Sequence, residues 1–208
     1  DSKARLALMQ RILVALRDGK PARTVKPTEE EAKMYQEMQL ITAKPVLYVC
    51  NVEEGAAANG NELSARVAER ARAEGAGHVV ISAAIESEVA QLAADEREVF
   101  LADLGLTETG LSRVIRAGYQ LLGLLTFFTV GPKETRAWTV RNGAKGPEAA
   151  GAIHTDFEKG FIRAETIAYD DYIAHGGEAG AKDAGRFRLE GKEYVVKDGD
   201  VFHFRFNT

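Results

Sequence analysis

One cysteine, Cys50, is present in 208 residues, so no intrachain disulfide can form, as fits a reducing cytoplasm. No apolar run approaches the ~20 residues of a transmembrane helix, and no secretory leader is visible, so no membrane partner is expected. Positive charge is also short: 27 Lys and Arg face 31 Asp and Glu, a net charge of −4. Residues 1–122 hold 15 basic and 18 acidic side chains, and residues 123–208 hold 12 and 13. Neither part attracts nucleic acid globally, so no DNA partner is expected and any RNA contact must use a local patch. There is no Gly-x-x-x-x-Gly-Lys-Ser/Thr loop to cradle phosphates. There is no initiator Met either: Asp1-Ser2-Lys3 runs straight into an amphipathic stretch, which predicts a truncated or processed product. Internal repeats and low-complexity segments are absent.

What is present has 45% hydrophobic content, enough for one or two cores. Residues 3–18 predict a helix, with Leu6, Met9, Leu13 and Leu16 as its inward stripe, Ile12 widening it and Gly19 ending it. Thr28 and Glu31 form a capping box opening a helix through about Ile41. The nearly continuous apolar run Pro45–Cys50 predicts a strand buried on both faces. A loop from Asn51 to Asn61 leads into a helix capped by Asn61, with Leu63, Val67 and Ala71 on one face. His78–Ser82 predicts a second strand, parallel to the first through a right-handed crossover. One helix is expected over Ile85–Leu104, and another capped by Thr107 with Leu111, Val114, Ile115 and Leu122 inward. From Leu124 the texture becomes β-rich. A hairpin spans 126–140, a short helix Glu148–Ile153, a strand Phe161–Ile167 and a helix Tyr169–His175. Strands are predicted at 187–189, 193–196 and 201–206, joined through Glu190-Gly191 and Asp198-Gly199. The fold class is therefore α/β followed by a compact α+β unit.

The informative chemistry lies where the two parallel strands end, because ligands of open α/β sheets bind outside the carboxyl ends of strands. The first ends in Asn51-Val52-Glu53-Glu54, the second in Ser82-Ala83-Ala84-Ile85-Glu86. An Asn amide both donates and accepts, so it can read a purine edge, and a Ser-Ala turn offers N–H groups with little bulk. Ordinary turn chemistry also explains an Asn-Glu-Gly loop. The pair resembles the base loops of P-loop GTPases, Asn-Lys-x-Asp and Ser-Ala-x, with Val52 in place of Lys and Glu54 in place of Asp. The Asp in those loops accepts from guanine N1 and N2.

Longer matches identify a family. The segments Lys44–Glu54, Leu125–Val140, His154–Glu165 and Asp198–Asn207 resemble the Obg-like ATPase (YchF) family. The resemblance covers the whole chain. It implies a remnant of a P-loop G-type domain with a helical-hairpin arm, followed by a β-grasp (ubiquitin-like) TGS domain. The arm would be residues 1–43, the nucleotide-binding part 44–122 and the TGS domain 123–206. Family members hydrolyse ATP in preference to GTP with Mg²⁺ and associate with ribosomes. By motif, Asn51 and Val52 would contact adenine, Glu54 would stand where GTPases keep Asp, and Ser82-Ala83 would back the base. The phosphate loop, its Lys and its Mg²⁺ ligand lie upstream in the family, so this chain alone is expected not to hydrolyse ATP. Without the upstream strands the two sheet edges would be exposed and open to self-association.

Lys133, Arg136, Arg141 and Lys145 accompany Trp138 on or after the first TGS hairpin, and Lys159 and Arg163 could extend the set. The residues read either as an RNA or ribosome contact or as a solvated strand face with a core Trp. His154 and His203 are too far apart to make a metal site, and Asp170-Asp171 and Asp198/Asp200 fit cap and turn roles. Cys50 reads as a small packing residue.

Overall fold

The structure, a computed structural model, describes residues 2–207. It divides into two compact units, one ending at Leu121 and one beginning at Leu122. No helix among the described residues is long and apolar enough to cross a membrane.

In the first unit, α1 spans Ser2–Arg17. Its buried row is Leu8, Ile12 and Ala15, not the expected Leu6, Met9, Leu13 and Leu16, which are 55, 50, 46 and 40% exposed. The connector explains the exchange of faces. It folds back across α1, bringing Ala22, Val25, Met34, Tyr35, Met38 and Leu40 onto Leu8 and Ile12. The capping box of α2 (Glu29–Glu37) forms as expected, Thr28 Oγ1 accepting from the Glu31 amide and Glu31 from the Thr28 amide. The helix stops four residues early, because Gln39 takes a positive φ of 47° and Ile41–Ala43 form a 3-10 turn. Strand β1 (Leu47–Asn51), helix α3 (Glu62–Glu74) and parallel strand β2 (Gly77–Ile81) make the expected crossover. Asn61 caps α3 through the Ser64 amide, and Gly75 ends it at φ 65°. Among the described residues β1 and β2 pair only with each other, so β1 is partly open rather than buried on both faces. Leu63, expected inward on α3, is exposed, and the buried positions are Ser64 and Ala71.

The long helix expected over Ile85–Leu104 is two: α4 (Ala83–Val89) and α5 (Ala94–Asp103). The break carries no Gly or Pro. It is held by Glu96 accepting from the Ala93 amide and by Arg97 donating to the Leu92 carbonyl, and it lets Leu101 fold back onto Ile85 and Val89. Helix α6 (Gly110–Leu122) is capped by Thr109, not Thr107, through the Ser112 amide. Leu111, Ile115 and Leu122, expected inward, are each more than half exposed.

A four-membered node fixes the connector after α1 to β1 and α3. Glu74 accepts from Tyr48 Oη at 2.8 Å, Arg70 Nε at 2.9 Å and Arg23 Nη2 at 3.1 Å. The Tyr48 hydroxyl, aided by the two guanidinium groups, holds the Glu74 carboxyl below the usual range.

The second unit is a five-stranded sheet. Its strands are β3 (Leu124–Val130), β4 (Thr135–Arg141), β5 (Phe161–Ala168), β6 (Arg188–Glu190) and β7 (Asp200–Phe206). The order is β4-β3-β7-β5-β6, with β3 and β7 parallel and the other pairs antiparallel. Short helices α7 (Gly146–Ile153), α8 (Thr155–Lys159), α9 (Tyr169–Ala174) and α10 (Glu178–Asp183) lie between strands. Residues 193–196 are irregular apart from one isolated bridge, Lys145 to Val195, and do not form the expected strand. Helix α10 follows Gly176-Gly177 and was not signalled. The core packs Phe127, Phe161, Phe202 and Phe204 with Leu125, Val140, Ala149 and Ala150.

Buried Asp200 anchors the 191–199 segment. It accepts from Tyr194 Oη and the Lys197 amide, each at 2.9 Å, and Arg188 lies 3.5 Å away. Burial, then the bond to Asp200, pushes the Tyr194 phenol well above its ordinary value. The sign follows from proton linkage. The folded state keeps a proton that the unfolded chain releases near pH 10, so this contribution is complete below about pH 10 and is lost as pH rises further. Between pH 8 and 11.5 the melting temperature should fall more steeply in the native chain than in Tyr194→Phe. Parallel curves would remove Tyr194 as the alkaline trigger.

Candidate functional site

The two strand-end loops meet through a side chain. Asn51 closes β1, and its Oδ1 accepts from the Ala83 amide, first residue of α4, at 2.9 Å. Its Nδ2 has no partner among the described residues. Val52 continues the ladder, donating its amide to the Ile81 carbonyl at 2.9 Å, and its side chain is 9% exposed. Glu54 stands exposed at the start of a 3-10 turn, and Glu53 accepts from Asn61 Nδ2 at 3.1 Å, tying the loop to the cap of α3. Ser82 is 2% exposed, and its hydroxyl has no hydrogen-bond partner among the described residues. A buried hydroxyl without a partner is costly, and this one lies beside the Asn51–Ala83 bond where the two loops meet. The structure thus brings Asn51, Val52, Ser82 and Ala83 together, with Glu54 on the same loop.

Two further residues surround these loops: Glu86, which the sequence placed at the end of the second loop without a role, and Arg113, which it did not signal. Glu86 on α4 accepts from the Gly110 amide at 2.6 Å and the Leu111 amide at 3.0 Å. Arg113 Nη1 donates to the Ala57 carbonyl at 3.4 Å. Their partners are main-chain groups 24, 25 and 56 positions away, which no local motif encodes. Ala57 and Ile85 share one core cluster, so the loops are packed together as well as bonded.

The cationic residues of the second unit are spread out. Lys133 lies in the exposed β3–β4 turn. The Arg136 guanidinium sits 4.3 Å over the Trp138 ring, and Trp138 donates to Thr129 Oγ1. Strand alternation puts Arg136 and Trp138 on one face of β4 and Arg141 on the other. Lys145 precedes α7 and donates to Glu193 at 2.5 Å, which raises the Lys145 pKa. Lys159 ends α8, and Arg163 lies opposite Arg205 across β5 and β7, where Arg205 is paired with Glu165. His154 caps α8 by accepting from the Asp156 amide, and Asp198 accepts from the Thr126 amide, both structural roles. Among the described residues no group of three or more His, Cys, Asp or Glu side chains could hold a metal. Cys50 is a half-buried free thiol.

Residues 124–207 match the family model YchF-GTPase_C, described as a protein of unknown function (DUF933). The chain is 53% identical over 210 residues to the "Ribosome-binding ATPase YchF" of Bacillus subtilis, covering all of this chain and 57% of that protein. It is 42% identical over 183 residues to "Obg-like ATPase 1" of Rattus norvegicus, covering 86% of this chain and 46% of that protein. The solved structure of the Schizosaccharomyces pombe YchF GTPase superposes with a TM-score of 0.79 at 31% identity, over 96% of this chain and 53% of that one. The chain therefore spans about half the length of the relatives it matches. It belongs to the Obg-like ATPase (YchF) family and corresponds to the C-terminal portion of its members.

Proposed function

We propose that this chain carries the base-recognition half of the nucleotide site of a ribosome-associated ATPase that prefers ATP to GTP. The Asn51–Ala83 hydrogen bond carries the reading. It closes the crevice between the two parallel strand ends and leaves an amide N–H₂ donor beside it. Such a donor suits purine N7, an acceptor that adenine and guanine share. Selection between them then falls on the loop that holds Glu54, whose longer carboxylate replaces the Asp of the guanine-reading pattern. The residues present fit a purine base. Bound ATP and Mg²⁺ would supply the phosphoryl chemistry, and the phosphate and Mg²⁺ ligands would come from residues outside this sequence. Calorimetry on protein that includes the upstream segment should show ATP binding more tightly than GTP. Equal affinity would sink the preference, and the 208-residue chain alone should show no Mg²⁺-dependent turnover.

The second unit acts, in this reading, as a TGS module of β-grasp fold that binds ribosomal RNA. Its support is the strand order with a central parallel β3–β7 pair, together with Lys133 and the Arg136–Trp138 stack at one sheet edge. A Lys133→Glu/Arg136→Glu double variant should weaken ribosome pelleting and flatten its salt dependence. The log–log slope should fall by roughly 0.7 to 0.9 for each phosphate that the variant no longer neutralises. Unchanged pelleting would move the RNA-binding surface elsewhere. If ribosome binding persists while neither nucleotide binds, the chain is an adaptor with a structural nucleotide fold. The open outer edges of β1 and β2 would let the isolated chain self-associate, which sedimentation velocity at rising concentration would reveal.

A further inference from the structure

We infer that Glu86 and Arg113 are positioning residues for the base site, and that the first turn of α6 is the brace through which both act. This rests on the nucleotide reading above. The bonds form a closed circuit around the two loops. Asn51 joins the first loop to the second at Ala83. Three residues on, Glu86 grips the start of α6 through two amides at 2.6 and 3.0 Å. One helical turn along α6, Arg113 reaches back to the Ala57 carbonyl on the first loop.

The physics favours a stiff circuit. The first amides of a helix lack intrahelical partners and carry partial positive charge, so a carboxylate across them makes charge-assisted bonds. The approach is also tight. A Cβ on Gly110 would come within 2.8 Å of Glu86 Oε1 and 3.0 Å of Ile81 Cβ, at the last residue of β2. Glycine is therefore what lets α6 sit against both the strand end and the Glu86 carboxylate. Neither Glu86 nor Arg113 needs to touch the nucleotide. Their effect is to fix the separation of Asn51 from Ser82-Ala83, and a small misplacement of positioned groups is expensive. A helix cap with no such role would contribute to stability and leave affinity alone.

The test uses the protein with its upstream segment, ATP and GTP as ligands, and calorimetry at a temperature where every variant is folded. Glu86→Ala should weaken ATP binding about tenfold, equivalent to roughly 1.4 kcal/mol, and narrow the ATP-to-GTP ratio. Glu86→Gln, which keeps one acceptor, should recover part of the loss, and Arg113→Met should weaken binding in the same direction. Hydrogen exchange on the 208-residue chain supplies a readout independent of nucleotide: Glu86→Ala should speed exchange at the Ala83 amide. Native affinity and selectivity in both Glu86→Ala and Arg113→Met overturns the inference. Absence of nucleotide binding in the unmodified protein overturns the nucleotide reading instead. The brace then stands or falls on exchange, and an Ala83 amide equally slow in Glu86→Ala overturns it.

Discussion

Phe127→Ala should destabilise the second unit by about 3 to 5 kcal/mol, a large share of the roughly 5 to 15 kcal/mol that holds a domain folded. Phe127 is 0% exposed, its ring centroid lies 5.5 Å from Phe202 and 6.0 Å from Phe204, and those rings touch Tyr194 and Phe161 in turn. It sits on β3, which is paired on both sides, so the cavity cannot close by collapse of an edge. The sole tryptophan, Trp138, lies opposite Phe127 in the β3–β4 register, so its fluorescence in a urea titration reports on this unit. Phe128→Ala is the control. Its side chain points to the other sheet face, is half-buried and meets, among the rings of the described residues, only Tyr169, so its loss should be clearly smaller. Equal midpoints for the two variants would show that the core is not organised around Phe127.

The contrast between these adjacent phenylalanines shows what a sequence can and cannot encode locally. Alternation assigns them to opposite faces, but which face is the core is settled by α7, which brings Ala149 and Ala150 to one side. The same limit appears in α1. Two apolar rows are written there, Leu6-Met9-Leu13-Leu16 and Leu8-Ile12-Ala15, and periodicity cannot choose between them. The choice is made by a connector folding back from residues 22–43. Signals confined to a few residues were legible. The Thr28 and Asn61 caps, the parallel pairing of β1 with β2, and the hairpin from β3 to β4 depend on neighbours or on one short crossover. The α4–α5 break was illegible because Leu101 packing and side-chain bonds, not Gly or Pro, impose it. The residues 193–196 read as a strand, yet a buried carboxylate, Asp200, ties down the chain on either side of Val195 through Tyr194 and Lys197 and leaves it irregular. The candidate site divides in the same way. Asn51 and Ser82 were visible because a motif places them at strand ends. The roles of Glu86 and Arg113 were hidden because main-chain groups of distant residues are their partners.

Asn51→Ala should weaken nucleotide binding by about a hundredfold, roughly 2.7 kcal/mol, in protein that includes the upstream segment. In our reading Asn51 has two jobs, and a second substitution separates them. Its Oδ1 holds the Ala83 amide, while its Nδ2 is the donor for the base. Asn51→Ala removes both: the loops separate and the Ala83 amide exchanges faster. Asn51→Asp keeps an acceptor for the Ala83 amide but puts a carboxylate where purine N7 needs a donor. It should therefore leave Ala83 protected while losing affinity to a similar degree. The two measurements, affinity by calorimetry and Ala83 exchange by mass spectrometry or NMR, then move apart in Asn51→Asp and together in Asn51→Ala. Native affinity in Asn51→Asp would show that Nδ2 does not read the base and that Asn51 serves only as the tie between the loops. Native affinity in Asn51→Ala would remove these strand ends from the nucleotide site altogether, because no other side chain among the described residues bonds one loop to the other at that point.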